Sequence, residues 1–199
     1  MRDFIDSLSS ASPTPGGGGA AALIGTLSCS LCSMVANLTT GKKKYAQYQE
    51  KIEEYIKVLE EKNKILYSDI KKDADAFEPL AKAYSLDKST PGYEDIMEKA
   101  TYDAAKAPLE ITRDIYSLVP IIEDLSVMGS RLAISDVAVA ASAAIAALEG
   151  AVMNIFINTR SLKDRAAAED MNAEAMKMVE DGRNRLGKVY NDIYSSLIS

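Results

Sequence analysis

The 199-residue sequence contains no histidine, the most common general base and the most common metal ligand of proteins. Serine triads, histidine-assisted cysteine chemistry and most zinc sites are therefore excluded. Only two cysteines occur, Cys29 and Cys32, and no further cysteine or histidine is present to complete a tetrahedral zinc site. Because the pair lies in an Ala-, Leu- and Ser-rich helical run, we expect two small buried residues with no metal and no redox role.

Basic residues are outnumbered by acidic ones, 23 Lys and Arg against 29 Asp and Glu, which gives a net charge of -6. Nucleic acids are bound mainly through Lys and Arg contacts to phosphates, so no nucleic-acid partner is expected. The 47% hydrophobic and 26% charged residues are typical of a globular protein, and 199 residues suffice for one core. We therefore expect a single domain over residues 1–199.

Signals for export or membrane insertion are not evident in the sequence. The first residues, Met1–Asp6, lack a basic region leading into an apolar stretch, so the cytoplasm is the expected location. The two longest apolar stretches are residues 20–36, which are rich in Ser and Gly, and residues 133–157, which include Asp136 and Asn154. Both stretches are predicted to be buried core helices, so no membrane partner is expected.

The spacing of apolar residues is helical through nearly the whole chain, whereas strand-like alternation and hairpin turns are almost absent. The fold class is predicted to be all-α, a single antiparallel bundle of five to six helices. Capping residues and prolines place these helices at about residues 2–9, 18–38, 45–84, 90–129, 136–158 and 164–197. Interruptions are expected at Pro108 and Pro120, and Pro79 is expected to kink the long third helix beside Asp73.

Four consecutive glycines follow two prolines in the segment Pro13–Gly19, just before the second predicted helix. Backbone N–H groups at the positive end of a helix dipole suit a carboxylate, a phosphate or an electron-rich ring edge. The segment is neither a Walker loop, because no Gly-Lys-Ser/Thr follows, nor a dinucleotide motif, because no strand precedes it. A flexible connector is the alternative, but the two prolines restrict the chain and favour a rigid loop.

The third predicted helix carries a stripe of apolar residues at three- and four-residue spacing from Tyr45 to Tyr84, here called the apolar seam. Asp73 lies in this seam, among Ile70, Phe77 and Leu80. Desolvation at such a position raises the pKa of a carboxyl toward a range useful for proton transfer. The alternative is a buried Asp held by a structural hydrogen bond. Asn63, on the same seam, is expected to fix the register of the helix.

Other polar residues are candidates for contact with a ligand. Lys42 and Lys43 belong to the one concentrated basic cluster, which is either a docking patch for an anionic substrate tail or a solvated helix end. Asn154 and Asn158 place two amides one turn apart on an apolar helix, where they either line a site or serve the structure. Asp136, near the start of the same helix, is expected either to cap the helix or place a charge in its first turn, or to contact the ligand.

Five segments in order along the chain resemble one known family. They are Ser10–Gly19, Met34–Tyr45, Asp73–Phe77, Ile134–Val137 and Asn154–Asn158. Together they resemble the formiminotransferase-cyclodeaminase C-terminal domain family, which includes stand-alone methenyltetrahydrofolate cyclohydrolases. The resemblance covers most of the chain, and the last helix adds little to it.

The resemblance implies a helical homodimer that acts on a reduced folate, with or without a polyglutamate tail, and that uses no metal or redox cofactor. Two reactions at the same carbon fit: hydrolysis of 5,10-methenyltetrahydrofolate to 10-formyltetrahydrofolate, or closure of 5-formiminotetrahydrofolate to the methenyl compound with loss of ammonia. The length of the chain, without a formiminotransferase domain, favours the cyclohydrolase. Both reactions pass through a tetrahedral carbon between N5 and N10 and need proton transfers.

Asp73 is the catalytic residue that this interpretation predicts. The predicted substrate-binding residues are Pro15, Gly16, Gly17, Gly18 and Gly19 through their backbone, Lys42 or Lys43 through the glutamyl carboxylates, and Asp136, Asn154 and Asn158. Two alternatives come from other classes of protein. One is a non-catalytic helical scaffold whose long seam is a dimer contact, and the other is a redox protein built on Cys29 and Cys32.

Overall fold

The computed structural model describes all 199 residues and contains helices without any strand. The helices are α1 (Arg2–Leu8), α2 (Gly17–Thr39), α3 (Gln49–Tyr84), α4 (Tyr93–Tyr116), α5 (Val119–Met128), α6 (Ile134–Thr159) and α7 (Arg165–Ile198). Short 3₁₀ turns precede α3 and α6. Six helices form the bundle and α1 buries none of its residues, so the predicted all-α fold with one long bent helix is confirmed.

Small side chains place α2 at the centre of the bundle, between α3 and α6. A Cβ atom on Gly25 would lie 2.7 Å from Cγ1 of Ile115, so only glycine permits this approach of α4. Cys29 and Cys32 are fully buried, and the thiol of Cys29 donates to the carbonyl of Leu59 at 3.4 Å. Burial raises the pKa of Cys29 to about 11, which suits a packing role and not thiolate chemistry.

α3 is long because its apolar seam contributes buried residues along most of the helix. Ile52, Leu59, Leu66 and Leu80 are completely buried along it. Asn63 interrupts the seam and donates to Oγ of Ser30 at 2.6 Å, so its amide ties α3 to α2 as the register interpretation expects. The helix begins at Gln49, four residues later than predicted, because the backbone of Tyr45 is not helical.

Pro108 does not interrupt α4, contrary to the prediction. A proline within a helix lacks the N–H that the carbonyl four residues earlier needs, here the carbonyl of Ala104. Asn158 of α6 supplies the missing donor, because its Nδ2 donates to that carbonyl at 2.9 Å. The helix therefore continues through Pro108, and a break occurs only before α5. Pro120 lies in the first turn of α5, where an N–H has no acceptor within the helix, so the proline costs no helical hydrogen bond.

α2 and α6 are long and apolar enough to cross a membrane by length and composition, and about half of each is buried inside the bundle. The prediction of buried core helices therefore holds for one side of each helix. The opposite sides are exposed and apolar, and we call them together the outer face. The outer face includes Leu27, Met34 and Leu38 of α2 and Val139, Met153 and Ile157 of α6.

Two carboxyl groups lie close together between α3 and α4, those of the buried Asp69 and the half-buried Asp114. Asp69 is 2% exposed, its Oδ1 accepts from Lys72 at 2.7 Å, and its Oδ2 has no hydrogen-bond donor. Burial, and then the charge of Asp69, raise the pKa of Asp114, while Lys62 and Lys72 oppose the rise. Protonated Asp114 can donate to the free oxygen of Asp69, so the folded chain holds this proton more tightly than the unfolded chain.

Asp114→Asn is expected to raise the melting temperature at pH 7.5. The raised pKa of Asp114 means that its contribution to stability is complete below pH 4 and is lost as the pH rises through the folded-state pKa. Asparagine keeps a neutral donor at every pH, so we expect a gain of roughly 2–4 °C at pH 7.5, equivalent to about 1 kcal/mol, and little difference at pH 4. Calorimetry at both pH values measures this.

The matched control for the carboxyl pair is Asp103→Asn, which removes an exposed carboxyl of the same helix that has no hydrogen-bond partner. This control is expected to leave the melting temperature unchanged at both pH values. A lower melting temperature for Asp114→Asn at pH 7.5 would contradict the shared proton.

Candidate functional site

A cavity of about 160 Å³, here called the Asp73 pocket, lies where the N-terminus of α2 meets α3, α4 and α6. Its lining residues are Pro13, Thr14, Gly16, Gly17, Gly18, Asp73, Phe77, Ala104, Asn154, Ile157 and Asn158. The structure therefore brings together the predicted catalytic carboxyl, most of the glycine segment and both predicted asparagines. Pro15 and Gly19 border the same loop, since a Cβ on Gly19 would lie 3.4 Å from Cβ of Pro15.

The glycine segment forms the first turn of α2. Gly16 is the N-cap residue, and the N–H of Ala20 donates to its carbonyl at 3.0 Å. The N–H groups of Gly17, Gly18 and Gly19 precede this bond and have no partner within the helix. The positive end of the helix dipole therefore faces Asp73 and the Asp73 pocket.

Gly18 permits a very close approach between α2 and Asp73. A Cβ atom at position 18 would lie 2.1 Å from Oδ1 of Asp73 and 2.5 Å from its Cγ, well inside contact distance. The glycine is therefore required by packing against the carboxylate as well as by access to its N–H. Gly16, in contrast, has open space around the position of a Cβ and ordinary extended backbone.

Asp73 is a partly desolvated carboxyl without a cationic partner. Burial raises the pKa of Asp73, and the backbone N–H of Gly19 partly opposes the rise. Lys72, the adjacent cation, pairs with Asp69 instead. A carboxyl of this kind can accept a proton from water and return it to a leaving nitrogen, and its charge can stabilise a cationic ligand.

Asn154 and Asn158 serve the structure and line the pocket. Nδ2 of Asn154 donates to the carbonyl of Gly150 at 2.9 Å, and Nδ2 of Asn158 donates to the carbonyls of Ala104 and Asn154. These bonds orient both amides and leave the two Oδ1 atoms without a donor from the chain. A Cβ on Gly17 would lie 3.0 Å from Oδ1 of Asn154, so this acceptor lies directly beside the glycine turn.

Lys42, Lys43 and Asp136 lie at the opposite end of the bundle, and one chain does not bring them to the Asp73 pocket. The 23 residues of α2 separate the glycine turn from Lys42 by roughly 34 Å, at 1.5 Å per residue. Nζ of Lys42 donates to Oγ of Ser130 at 3.3 Å. Asp136 is in the first turn of α6, roughly 27 Å along the helix from Asn154. At these distances, a folate ring bound in the Asp73 pocket does not touch these three residues within a single chain.

The apolar walls of the Asp73 pocket were not singled out from the sequence. Phe77 follows Asp73 by one helical turn, and this spacing alone would place it on the same side of α3. Ala104 and Ile157 come from other helices, and Ile157 carries no local signal. The one usable signal for Ala104 is its carbonyl, which Pro108 leaves without a donor and which Asn158 must therefore reach.

Comparison with known proteins gives consistent matches along the chain. The Formiminotransferase-cyclodeaminase family profile matches residues 1–177. A methenyltetrahydrofolate cyclohydrolase of Methylorubrum extorquens is 34% identical, over 100% of this chain and 96% of that protein. The formimidoyltransferase-cyclodeaminase of Mus musculus is 25% identical, over 97% of this chain but 36% of that protein. A crystal structure of formiminotetrahydrofolate cyclodeaminase from Thermotoga maritima is 28% identical with a TM-score of 0.87, over 98% of this chain and 96% of that chain.

Proposed function

Because this chain belongs to the formiminotransferase-cyclodeaminase family, we propose that it is an enzyme of folate one-carbon metabolism that hydrolyses 5,10-methenyltetrahydrofolate to 10-formyltetrahydrofolate. The observation that carries the proposal is Asp73, a desolvated carboxyl held against the glycine turn in a pocket with two free amide oxygens. The proposal includes the cytoplasm as location and no metal or redox cofactor, nucleic acid or membrane. The reaction needs only water and proton transfers.

The proposed reaction starts with water adding to the methenyl carbon between N5 and N10. Asp73 accepts a proton from the attacking water as the new C–O bond forms, which gives a tetrahedral carbon. The same carboxyl then gives its proton to N5 as the C–N5 bond breaks, and the formyl group stays on N10. The hydroxyl on the tetrahedral carbon releases its proton to solvent as the C=O bond of the formyl group forms, and this proton carries away the positive charge of the substrate. The carboxylate also stabilises the cationic substrate before water attacks.

The glycine turn and the asparagines are proposed to position the ligand. Gly17 and Gly18 offer N–H donors to an electron-rich ring edge, whereas Oδ1 of Asn154 and of Asn158 accept from ring N–H groups. Backbone N–H groups cannot shuttle protons, so the glycine turn supplies orientation while Asp73 supplies proton transfer.

Cyclodeamination of 5-formiminotetrahydrofolate is the second candidate function, and the match to the Thermotoga maritima cyclodeaminase favours it. The same groups serve this reaction, because N10 forms a bond to the formimino carbon on N5, and the bond from that carbon to the formimino nitrogen then breaks as this nitrogen is protonated and leaves as ammonia. A proton from Asp73 to the leaving nitrogen is the step in common.

An assay of the purified chain with both folates, side by side, tests the proposal. We expect turnover of 5,10-methenyltetrahydrofolate, followed by the loss of its near-ultraviolet absorbance and corrected for the uncatalysed rate. Turnover of only the formimino compound would assign the cyclodeaminase. Turnover of neither, together with no thermal stabilisation by tetrahydrofolate, would support the helical scaffold, because a ligand at 100 times its Kd should stabilise a binder by about 2.7 kcal/mol.

The outer face of α2 and α6 supports a homodimer. Six large apolar residues are exposed on two helices that pack against each other, and exposed apolar residues in such number are typical of a protein–protein contact. In a two-fold dimer with its axis perpendicular to α2, the partner helix runs in the opposite direction. The partner's Lys42 and Lys43 then approach the glycine turn, which gives these lysines a route to the outer carboxylates of a polyglutamate tail.

Leu27→Asp is expected to convert the dimer into a monomer. Leu27 is 49% exposed in the single chain, so its replacement spares the fold but places a charge in the proposed dimer contact. Sedimentation at micromolar concentration measures the change. Leu197→Asp, at a position 58% exposed near the end of α7 and outside the outer face, should remain dimeric. A Leu27→Asp variant with the mass of the unmodified protein would contradict this interface.

A further inference from the structure

A second cavity, of about 340 Å³, lies on the other side of the Pro13–Pro15 segment and is here called the α1 cleft. Its walls come from α1, α2 and α3 and are mostly apolar. The residues that matter for its chemistry are Phe4, Pro15, Leu23, Tyr67, Ile70 and Lys71. None of these residues except Pro15 has a role in the proposed reaction.

The α1 cleft and the Asp73 pocket share a wall. Thr14 lines both cavities, and Ile70 and Ala74 line the cleft on either side of Asp73 in the sequence of α3. The Asp73 pocket, at about 160 Å³, is below the range of roughly 300–1,000 Å³ that ligand sites usually occupy. A ligand that reacts at Asp73 and is larger than one ring system therefore needs an adjoining surface, and the α1 cleft adjoins the Asp73 pocket at Thr14.

The chemistry of the α1 cleft is that of an aromatic ring joined to a carboxylate. Phe4 and Tyr67 offer aromatic surface, and Pro15, Leu23 and Ile70 offer aliphatic surface. Lys71 is the one basic residue in the lining. It pairs with Asp75, but the two side chains are 80% and 57% exposed, so this ion pair contributes little and Lys71 can turn to another carboxylate.

α1 contributes no residue to the hydrophobic core. α1 buries no residue, and Phe4, the half-buried aromatic residue of α1, lines the cleft. Its neighbour Ser7 donates to the carbonyl of Thr14 at 3.4 Å, which ties α1 to the segment between the two cavities. Phe4 therefore closes one side of the cleft without contributing to the core.

We propose that the α1 cleft binds the aminobenzoyl-glutamate part of the folate, with its ring against Phe4 and Tyr67 and a glutamyl carboxylate at Lys71. This assignment rests on the proposed function and deepens it, because it gives the part of the substrate outside the Asp73 pocket a site within the same chain. The pterin and the reacting carbon then lie at Asp73, and the Thr14–Pro15 segment lies between the two parts.

The test uses Phe4→Ala, Tyr67→Ala and Lys71→Gln with two probes: 5,10-methenyltetrahydrofolate in the assay, and p-aminobenzoylglutamate in a binding titration followed by NMR. For each variant we expect KM to rise about tenfold or more, a loss of about 1.4 kcal/mol, with kcat nearly unchanged. The fragment, which has no reacting carbon, should bind more weakly to each variant by a similar factor. Tyr84→Ala is the matched control, because Tyr84 is 61% exposed on the same helix, as Tyr67 is 67% exposed, but lies outside the cleft.

A substrate without glutamate isolates the role of Lys71. With 5,10-methenyltetrahydropteroate, KM of the unmodified enzyme should rise, and Lys71→Gln should add no further increase. Unchanged KM values together with unchanged or absent fragment binding would overturn the α1 cleft proposal while leaving the reaction at Asp73 intact. Fragment binding that the three variants weaken, in a chain that turns over neither folate, would instead overturn the proposed function and support the cleft.

Discussion

Asp73→Asn is expected to lower kcat for 5,10-methenyltetrahydrofolate by about 10²–10⁴-fold, the range that one positioned acid or base contributes. Asparagine has the shape of aspartate and fits the space beside Gly18, so the fold and substrate binding should persist. It cannot accept the proton of the attacking water or return it to N5. The rate of absorbance loss at saturating substrate measures the effect, with KM and the melting temperature determined in parallel.

Glu78→Gln is the matched control for Asp73→Asn. Glu78 is an exposed carboxyl further along α3, paired with Lys82 and outside the Asp73 pocket. Its loss should leave kcat and KM unchanged. An equal decrease in kcat for the Asp73 and Glu78 variants would mean that the negative charge of α3, and not a positioned carboxyl, supports turnover.

Gly18→Ala is expected to lower kcat/KM by about 100-fold, because displacement of a catalytic group by about 1 Å has effects of this size. The added Cβ would lie 2.1 Å from Oδ1 of Asp73, so the carboxylate or the start of α2 must move. Crowding of this kind costs about 1–3 kcal/mol, partly offset by about 1 kcal/mol from the higher helix propensity of alanine. Kinetics and thermal unfolding of the variant measure both effects.

Gly16→Ala separates this contact from the general flexibility of the glycine turn. No atom lies within 4 Å of the Cβ that alanine would add at Gly16, and the backbone there is allowed for any residue. We expect activity within about threefold of the unmodified enzyme and a loss of stability below about 1 kcal/mol. Equal losses of activity at positions 16 and 18 would show that the turn needs glycine for mobility, not for contact with Asp73.

The helices were predictable because their signals are local. Apolar spacing gave α2, α3, α6 and α7 within a few residues, and Asp164 caps α7 by accepting from the N–H of Ala167 at 3.0 Å. The effect of Pro108 on its helix was not predictable in the same way. Whether a proline breaks a helix depends on a donor from elsewhere, and Asn158, fifty residues later, supplies it.

The candidate site was predictable only where residue type and position both carry a signal. Asp73 is recognisable as a charged residue in an apolar seam, and the glycine turn as four glycines before a helix. The contact between Asp73 and Gly18, in contrast, depends on how α2 packs against α3 and has no local signal. Lys42 and Lys43 show the limit of such reasoning. Their charge predicts an anionic partner, but no local pattern tells how far they lie from Asp73. The length of α2 separates them from Asp73 within a single chain.

The dependence of kcat/KM on pH, compared between the unmodified enzyme and Asp73→Asn, tests the central claim most directly. Burial raises the pKa of Asp73, so the fraction of active carboxylate falls as the pH is lowered through that raised value. We expect kcat/KM of the unmodified enzyme, corrected for uncatalysed hydrolysis, to decline over that interval, and the residual activity of Asp73→Asn to show no such decline. An Asp73→Asn enzyme that retains the same decline and near-normal turnover would contradict the assignment of proton transfer to Asp73.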